Sequence, residues 1–326
     1  MKISITDKGE GIAQQFARAI GAKVDGRFIR IPDSKGGGYM SGFNWGKELR
    51  MMIRNYHLKE EVVIDRKNEL AEGQDDVVFR LNGIFPTSVH RKGQFSTEQP
   101  NVLICKHAVS SVMEMPSNTL FGSVTIAASR QYLRSLFEEL KHPIAETILK
   151  GKDNFIFETS LSSEMLRVGS EILDQPIPEN LERYYYNLKC QELLCHIFSL
   201  LIQRDPVPAS SMHLDDIKAI YAIKIHLQSH LNEPPNIASL ATEAGMSEPK
   251  LRKLFKQTFG KGVFEYYQSA RVQEAARLFK EKKLTVSEVG YQLGFTNLSH
   301  FSREFEKYIG MKPKKYSLSK EVAGGA

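Results

Sequence analysis

A helical pattern written twice constrains the last third of this chain more than any other feature. Ile237-Ala-Ser-Leu-Ala-Thr-Glu-Ala-Gly-Met246 and Leu251-Arg-Lys-Leu-Phe-Lys-Gln-Thr-Phe-Gly260 return as Val286-Ser-Glu-Val-Gly-Tyr-Gln-Leu-Gly-Phe295 and Phe301-Ser-Arg-Glu-Phe-Glu-Lys-Tyr-Ile-Gly310. The offset is 49 residues before the turn and 50 after it. One extra residue within Thr296 to Ser299 accounts for the change and keeps Leu251/Phe301, Phe255/Phe305, Phe259/Ile309, Gly260/Gly310 and Tyr266/Tyr316 in register. Loop slack accommodates such an insertion.

Each copy predicts two short helices joined by a tight turn. Gly245 and Gly294 fall where the turn needs a positive φ, and Ala241 and Gly290 are small where the first helix must let the second approach. Thr285-Val-Ser-Glu288 has the form of a capping box, and Asn236 and Ser247 suit the N-caps of the earlier copy. Between the copies, Phe264 to Lys282 contains neither Gly nor Pro and predicts one continuous helix. At 1.5 Å per residue it would span roughly 28 Å. A stiff spacer of that length can hold two helices roughly 34 Å apart, one turn of DNA, so that a single chain enters two successive major-groove segments.

Charge separates in the same sense. From Ile217 onward 18 Lys and Arg stand against 10 Asp and Glu, whereas residues 1–216 carry 26 against 28. A basic helical module can neutralise phosphates and gain from counterion release. A solvated face on an ordinary helix bundle would have the same charge, and the duplicated register is what favours DNA.

Residues of about 217 to 318 resemble the DNA-binding domain of the AraC/XylS family of bacterial transcription regulators. The likeness rests on Ile237-Ala-Ser-Leu-Ala, Leu251-Arg-Lys-Leu-Phe-Lys, Ala275-Ala-Arg-Leu, Val286-Ser-Glu-Val-Gly-Tyr-Gln-Leu-Gly-Phe, Ser299-His-Phe-Ser-Arg-Glu-Phe and Gly310-Met-Lys-Pro-Lys-Lys-Tyr316. The resemblance implies a seven-helix domain with two groove-reading helices, and an attached domain that senses a small molecule or mediates dimerisation. It also implies RNA polymerase as a partner.

Removing the core positions leaves the reading faces. Leu251, Leu254, Phe255 and Phe259 share one helical face, which leaves Pro249, Lys250, Arg252, Lys253 and Lys256 outward. In the second copy Phe301, Phe305 and Ile309 point inward, leaving Leu298, Ser299, Ser302, Arg303 and Glu306 outward, with His300 and Lys307 at the flanks. By the family analogy Pro249, Arg252, Lys253, Leu298, Ser299 and Arg303 reach bases, with Arg252 and Arg303 foremost because Arg pairs bidentately with guanine. Lys250, Lys256, His300, Ser302 and Lys307 suit phosphate contacts. Leu298 either meets a thymine methyl or packs inward because of the extra turn residue.

The rest of the chain predicts an α+β domain. The length allows at least two domains, and Asp205-Pro-Val-Pro-Ala-Ser-Ser-Met-His213 reads as a linker between residues 1–204 and 214–326. Within 26–128, Arg27-Phe-Ile-Arg-Ile, Leu49 to Tyr56, Glu61-Val-Val-Ile-Asp, Asp76-Val-Val-Phe-Arg-Leu, Asn101-Val-Leu-Ile-Cys and Ser123-Val-Thr-Ile-Ala predict strands, hence a barrel or sandwich. Gly37-Gly-Tyr-Met-Ser-Gly-Phe-Asn-Trp is similar to the start of the cupin-like sensing barrels found in the same family. Gly11 to Ala22 predicts a short early helix, and Ser129 to Leu140, Ser162 to Leu173 and Glu179 to Gln203 predict helices within 129–204. The last carries Leu181, Tyr185, Leu188, Leu194, Cys195, Phe198, Leu201 and Ile202, a wide apolar surface suited to the barrel or to a twin helix in a homodimer.

Other chemistry has little support. His57, His90, His107 and Cys195-His196 lack metal-ligand clustering, so no metal and no cofactor is expected, and the chain does not read as an enzyme. Cys105, Cys190 and Cys195 lie in apolar segments and read as buried, reduced thiols. Gly36-Gly-Gly38 lacks the context of a phosphate loop and reads as a mobile loop. With no membrane-length apolar run and no secretion leader, the expected location is cytoplasmic.

Three functions stay open. The first is a regulator, an activator, whose N-terminal domain binds a small-molecule effector, with Trp45, Arg54, Tyr56 and His57 as candidates at a barrel mouth. A second is a constitutive or partner-controlled DNA binder whose N-terminal domain only dimerises. The third is a DNA-tethered enzyme with a reactive cysteine.

Overall fold

The computed structural model describes residues 1–6, 12–67, 75–85, 96–106, 112–151, 153–205, 212–281 and 284–319. It divides into two units, Met1–Met212 and His213–Ala326. Residues 206–211 of the expected linker, His90 and His107 lie outside the described residues.

The first unit runs β1 (Lys2–Thr6), α1 (Ile12–Ile20), β2 (Lys23–Asp25), β3 (Phe28–Arg30), β4 (Gly36–Asn44), β5 (Leu49–Leu58), β6 (Val62–Lys67), β7 (Asp76–Asn82), β8 (Ser96–Thr97), β9 (Asn101–Lys106), β10 (Val112–Met115), β11 (Thr119–Ser129), α2 (Arg130–Phe137), α3 (Pro143–Lys150), β12 (Ile156–Thr159), α4 (Ser163–Asp174) and α5 (Glu179–Leu201). Its large antiparallel sheet has the order β12-β9-β7-β11-β5-β4-β3-β2, with β8 added in parallel to β11. A smaller sheet has the order β1-β6-β10. The large sheet is an open path ending at β12 and β2, not a closed barrel.

Side-chain alternation fixes the register. Ile104, Phe79, Ile126 and Met51 stand side by side across β9, β7, β11 and β5, and all four are buried in one core. That face is covered by α2 to α5, through Leu133, Ile148, Val168, Leu194 and Phe198. The opposite face of β5 sends Tyr56 and Leu58 into a second core with Phe16 of α1, Val62 and Ile64 of β6, and Met115 of β10. Both faces of the central strands are buried, so the hydrophobic effect holds the sheet between a helical layer and the small sheet.

Two expectations change here. Gly36 to Gly38 begin β4 and pair with Leu58 to Tyr56 of β5, where a loop was expected. A Cβ on Gly36 would lie 2.0 Å from the His57 carbonyl oxygen, which is why glycine is needed in the strand. Cys195 is exposed, whereas Cys105 and Cys190 are buried as expected.

The second unit is helical: α6 (Leu214–Ser229), α7 (Ile237–Glu243), α8 (Glu248–Phe259), α9 (Val263–Glu281), α10 (Val286–Gln292), α11 (Leu298–Ile309) and α12 (Pro313–Leu318). Helix α9 is more than a spacer. Its N-terminal half packs Tyr266 edge-on against Phe255 and tilted against Phe259 of α8, and its C-terminal half supplies Val272, Ala275, Leu278 and Phe279 to a core with Val289, Phe301 and Phe305.

Candidate nucleic-acid interface

The two copies fold as matched helix pairs, α7 with α8 and α10 with α11. Gly245 and Gly294 adopt φ of +63° and +74° in the turns. Gly294 is doubly required, because a Cβ there would also lie 2.0 Å from the Asn232 carbonyl oxygen. Gly290 lets α11 close on α10: a Cβ would meet Leu298 Cδ2 at 2.6 Å and Phe301 Cδ1 at 3.3 Å.

Caps set the helix starts. Asn236 accepts from the Ser239 amide, and Asn297 accepts from the amides of Ser299 and His300. Thr285 and Glu288 form the expected capping box, and those bonds hold the Glu288 carboxyl below the usual carboxylate range. Ser247 occupies the N-cap of α8 without a capping bond from its side chain. The N-caps Ser247 and Asn297 are 50 apart while Met246 and Phe295 are 49 apart, so the extra residue is the exposed Thr296, just before α11.

The second helix of each pair separates core from surface. Leu251, Leu254, Phe255, Phe301 and Phe305 are buried. Pro249, Lys250, Arg252, Lys253, Ser299, His300, Arg303 and Lys307 are exposed, and Lys256 and Ser302 are half-buried. Leu298 is half-buried with Cδ2 over Gly290, the inward of its two expected poses. The two faces differ electrostatically. Lys250 forms an ion pair with Asp216 at 2.7 Å, and Arg252 with Glu248 at 3.3 Å. Asp216 comes from α6, a partner that the spacing within the repeat does not signal. Lys312, Lys314 and Lys315 at the start of α12 add exposed cations that sequence reasoning left without a role.

The four candidate effector residues are not brought together. Strand alternation puts Arg54 and Tyr56 on one face of β5 and His57 on the other. Arg54 is buried, donating to Ser123 Oγ at 2.7 Å and pairing with Glu98 at 3.4 Å. Tyr56 is 1% exposed with its hydroxyl on Met115 Sδ, and burial raises its pKa. Trp45 stacks on Phe43 and donates to the Arg183 carbonyl, so it anchors α5. Arg54, Tyr56 and Trp45 are thus engaged in core and docking contacts.

A family model described as a helix-turn-helix domain matches residues 240–318. The HTH-type transcriptional regulator YobQ of Bacillus subtilis is 36% identical over 96 residues, 29% of this chain and 40% of that protein. The arabinose operon regulatory protein of Salmonella typhimurium is 28% identical over 118 residues, 36% of this chain and 42% of that one. An AraC-like transcription regulator of Streptomyces lividans is 28% identical over 128 residues, 38% of this chain and 41% of that one. The C-terminal unit is an AraC-type helix-turn-helix domain. The matches cover 33%, 29% and 40% of the lengths of the first three curated relatives. Among solved structures, an AraC-type regulator of Chromobacterium violaceum aligns at 21% identity over 34% of this chain and 100% of that one, with TM-score 0.32. ToxT of Vibrio cholerae aligns at 16% identity over 83% of this chain and 98% of that one, also with TM-score 0.32. The curated relatives that match this unit are named as transcription regulators.

Proposed function

We propose that the protein is a DNA-binding transcription regulator that lays α8 and α11 into one duplex. The observation that carries this reading is the repeated division of each second helix into a buried apolar face and an exposed polar face, cationic on α8 and mixed on α11, where Arg303 and Lys307 stand beside the exposed Glu306. Pro249, Arg252, Lys253, Ser299 and Arg303 read bases, with the free edge of Leu298 beside them. Lys250, Lys256, His300, Ser302 and Lys307 position the domain on phosphates. For Lys250 this requires exchanging the half-buried Asp216 for a phosphate, a swap of one anionic partner for another that keeps the exposed ammonium paired.

The regulator acts in the cytoplasm as an activator alongside RNA polymerase, and a small-molecule effector held by residues 1–204 shifts it between two poses. Such control needs only a ligand with different affinity for the two. Thermal-shift screening of the full chain against a metabolite panel tests this. Ligands that raise the melting temperature and change DNA affinity support it; DNA binding with no stabilising ligand favours the purely dimerising alternative.

One observation favours dimerisation alongside sensing. Leu181, Tyr184 and Leu188 of α5 and its C-cap Ile202 are 51%, 70%, 63% and 38% exposed, with Cys195 in the same row. Their spacing forms a stripe on one helical face, and a second copy of α5 would bury it. Pairing would join two DNA-binding units and raise avidity through linkage.

A further inference from the structure

Arg271 lies near the midpoint of α9 and is 6% exposed. Its Nε and Nη2 donate to the Leu293 carbonyl oxygen at 3.0 and 2.6 Å, and Nη1 donates to Gln268 Oε1. The guanidinium carbon sits 3.5 Å from the centroid of the Phe295 ring and 5.1 Å from that of Tyr267. Leu293 is the C-cap of α10, so its carbonyl is one of the acceptors a helix end leaves without an intrahelical partner. A cation at that end also meets the negative pole of the helix. Helix α6, which occupies the corresponding place before the first copy, contains no arginine.

The surroundings give this clamp a reach beyond the second copy. Tyr267, one turn before Arg271, donates its hydroxyl to the Leu231 carbonyl in the segment that joins α6 to α7. Leu231 itself packs against the core of the second copy. Asn232, its neighbour, presses its carbonyl oxygen against Gly294. The turn of the second helix pair is therefore held between the segment that leads into the first copy and the middle of the shared helix.

We propose that this junction, pinned by Arg271, sets the relative pose of α8 and α11 and thereby selects the spacing between the two half-sites on DNA. The proposal rests on the DNA-reading function above. Arg271 touches no base in this role; it is a positioning residue, and the readout that isolates it is spacing rather than affinity.

The test uses the full chain and binding-site selection from libraries in which the separation of the two halves varies. Wild type should show one preferred spacing. Arg271→Met should keep the base preferences within each half while discrimination against spacings one base pair away falls about tenfold, the equivalent of about 1.4 kcal/mol. Arg271→Lys should fall between them, because an ammonium can reach the Leu293 carbonyl but cannot lie flat on Phe295. An unchanged spacing preference in Arg271→Met, or loss of base preference in one half, would overturn the proposal, the latter by showing that Arg271 only holds the second copy together.

A DNA-free measurement keeps this outcome separate from failure of the DNA-reading proposal. Spin labels at Thr242→Cys on α7 and Gln292→Cys on α10, in a Cys195→Ser background, report the distance between the copies. A narrow distribution in wild type that broadens in Arg271→Met supports the junction; superimposable distributions refute it, whether or not a site is selected. If Arg271→Met does not fold, Arg271→Lys carries the same comparison.

Discussion

At the residue scale, Arg303 and Gly294 show how differently two positions of one motif behave. Arg303 is exposed on α11 and free to reach a base edge. Replacing it with alanine should weaken specific binding by about 1 to 3 kcal/mol and relax preference at one base position, as read by binding to randomised sites with the melting temperature unchanged. Gly294 makes no contact with DNA in this account. Gly294→Ala should destabilise the protein by at least about 1 kcal/mol, since alanine resists the positive φ, and the overlap with Asn232 adds to the cost. Thermal melting checks it, and an unchanged transition would contradict the close approach. Thiols give a third reading. Burial raises the Cys190 pKa, so it holds little thiolate at neutral pH, while Cys195 is exposed on α5. Alkylation of the Leu188→Glu chain, in which the α5 row is left uncovered, should label Cys195 and reach Cys105 and Cys190 only after unfolding.

At the element scale, periodicity was legible wherever one face of a strand or helix meets a core. The spans read from sequence for β5, β7 and β9 coincide closely with the observed strands, while Ser123 to Ala127 marks only the middle of the eleven-residue β11. β4 was hidden because Gly36, Gly37, Gly38 and Gly42 look like loop residues, and only their closeness to β5 explains them. Helix α3 and strand β12 are short, and their pairing is non-local: Ile156 opposes Cys105, far back in the chain. In the second unit the repeat gave the exposed faces of α8 and α11, but not the Asp216 pair or the Arg271 clamp, which depend on helices outside the repeated pattern. The exposed row on α5 carries a prediction at this scale. Leu188→Glu should shift the full chain toward monomer in sedimentation while leaving its melting temperature within about 0.5 kcal/mol equivalent. A chain that sediments as a monomer before substitution would remove the dimer from the account.

At the scale of the whole molecule, the excess of cations beyond Ile217 belongs to the unit that carries both readers. DNA affinity should therefore fall steeply with salt, with a log–log slope of about −0.9 per phosphate neutralised. Lys307→Ala should make that slope shallower by about one phosphate without changing sequence preference. The central claim is that two helices of one chain read one duplex. Site selection with the full chain and its Arg252→Ala and Arg303→Ala variants tests it most directly. The expected result is two blocks of preferred bases, centred about one helical turn apart, of which Arg252→Ala weakens one and Arg303→Ala the other. A single block, or two substitutions that erase the same positions, would contradict it.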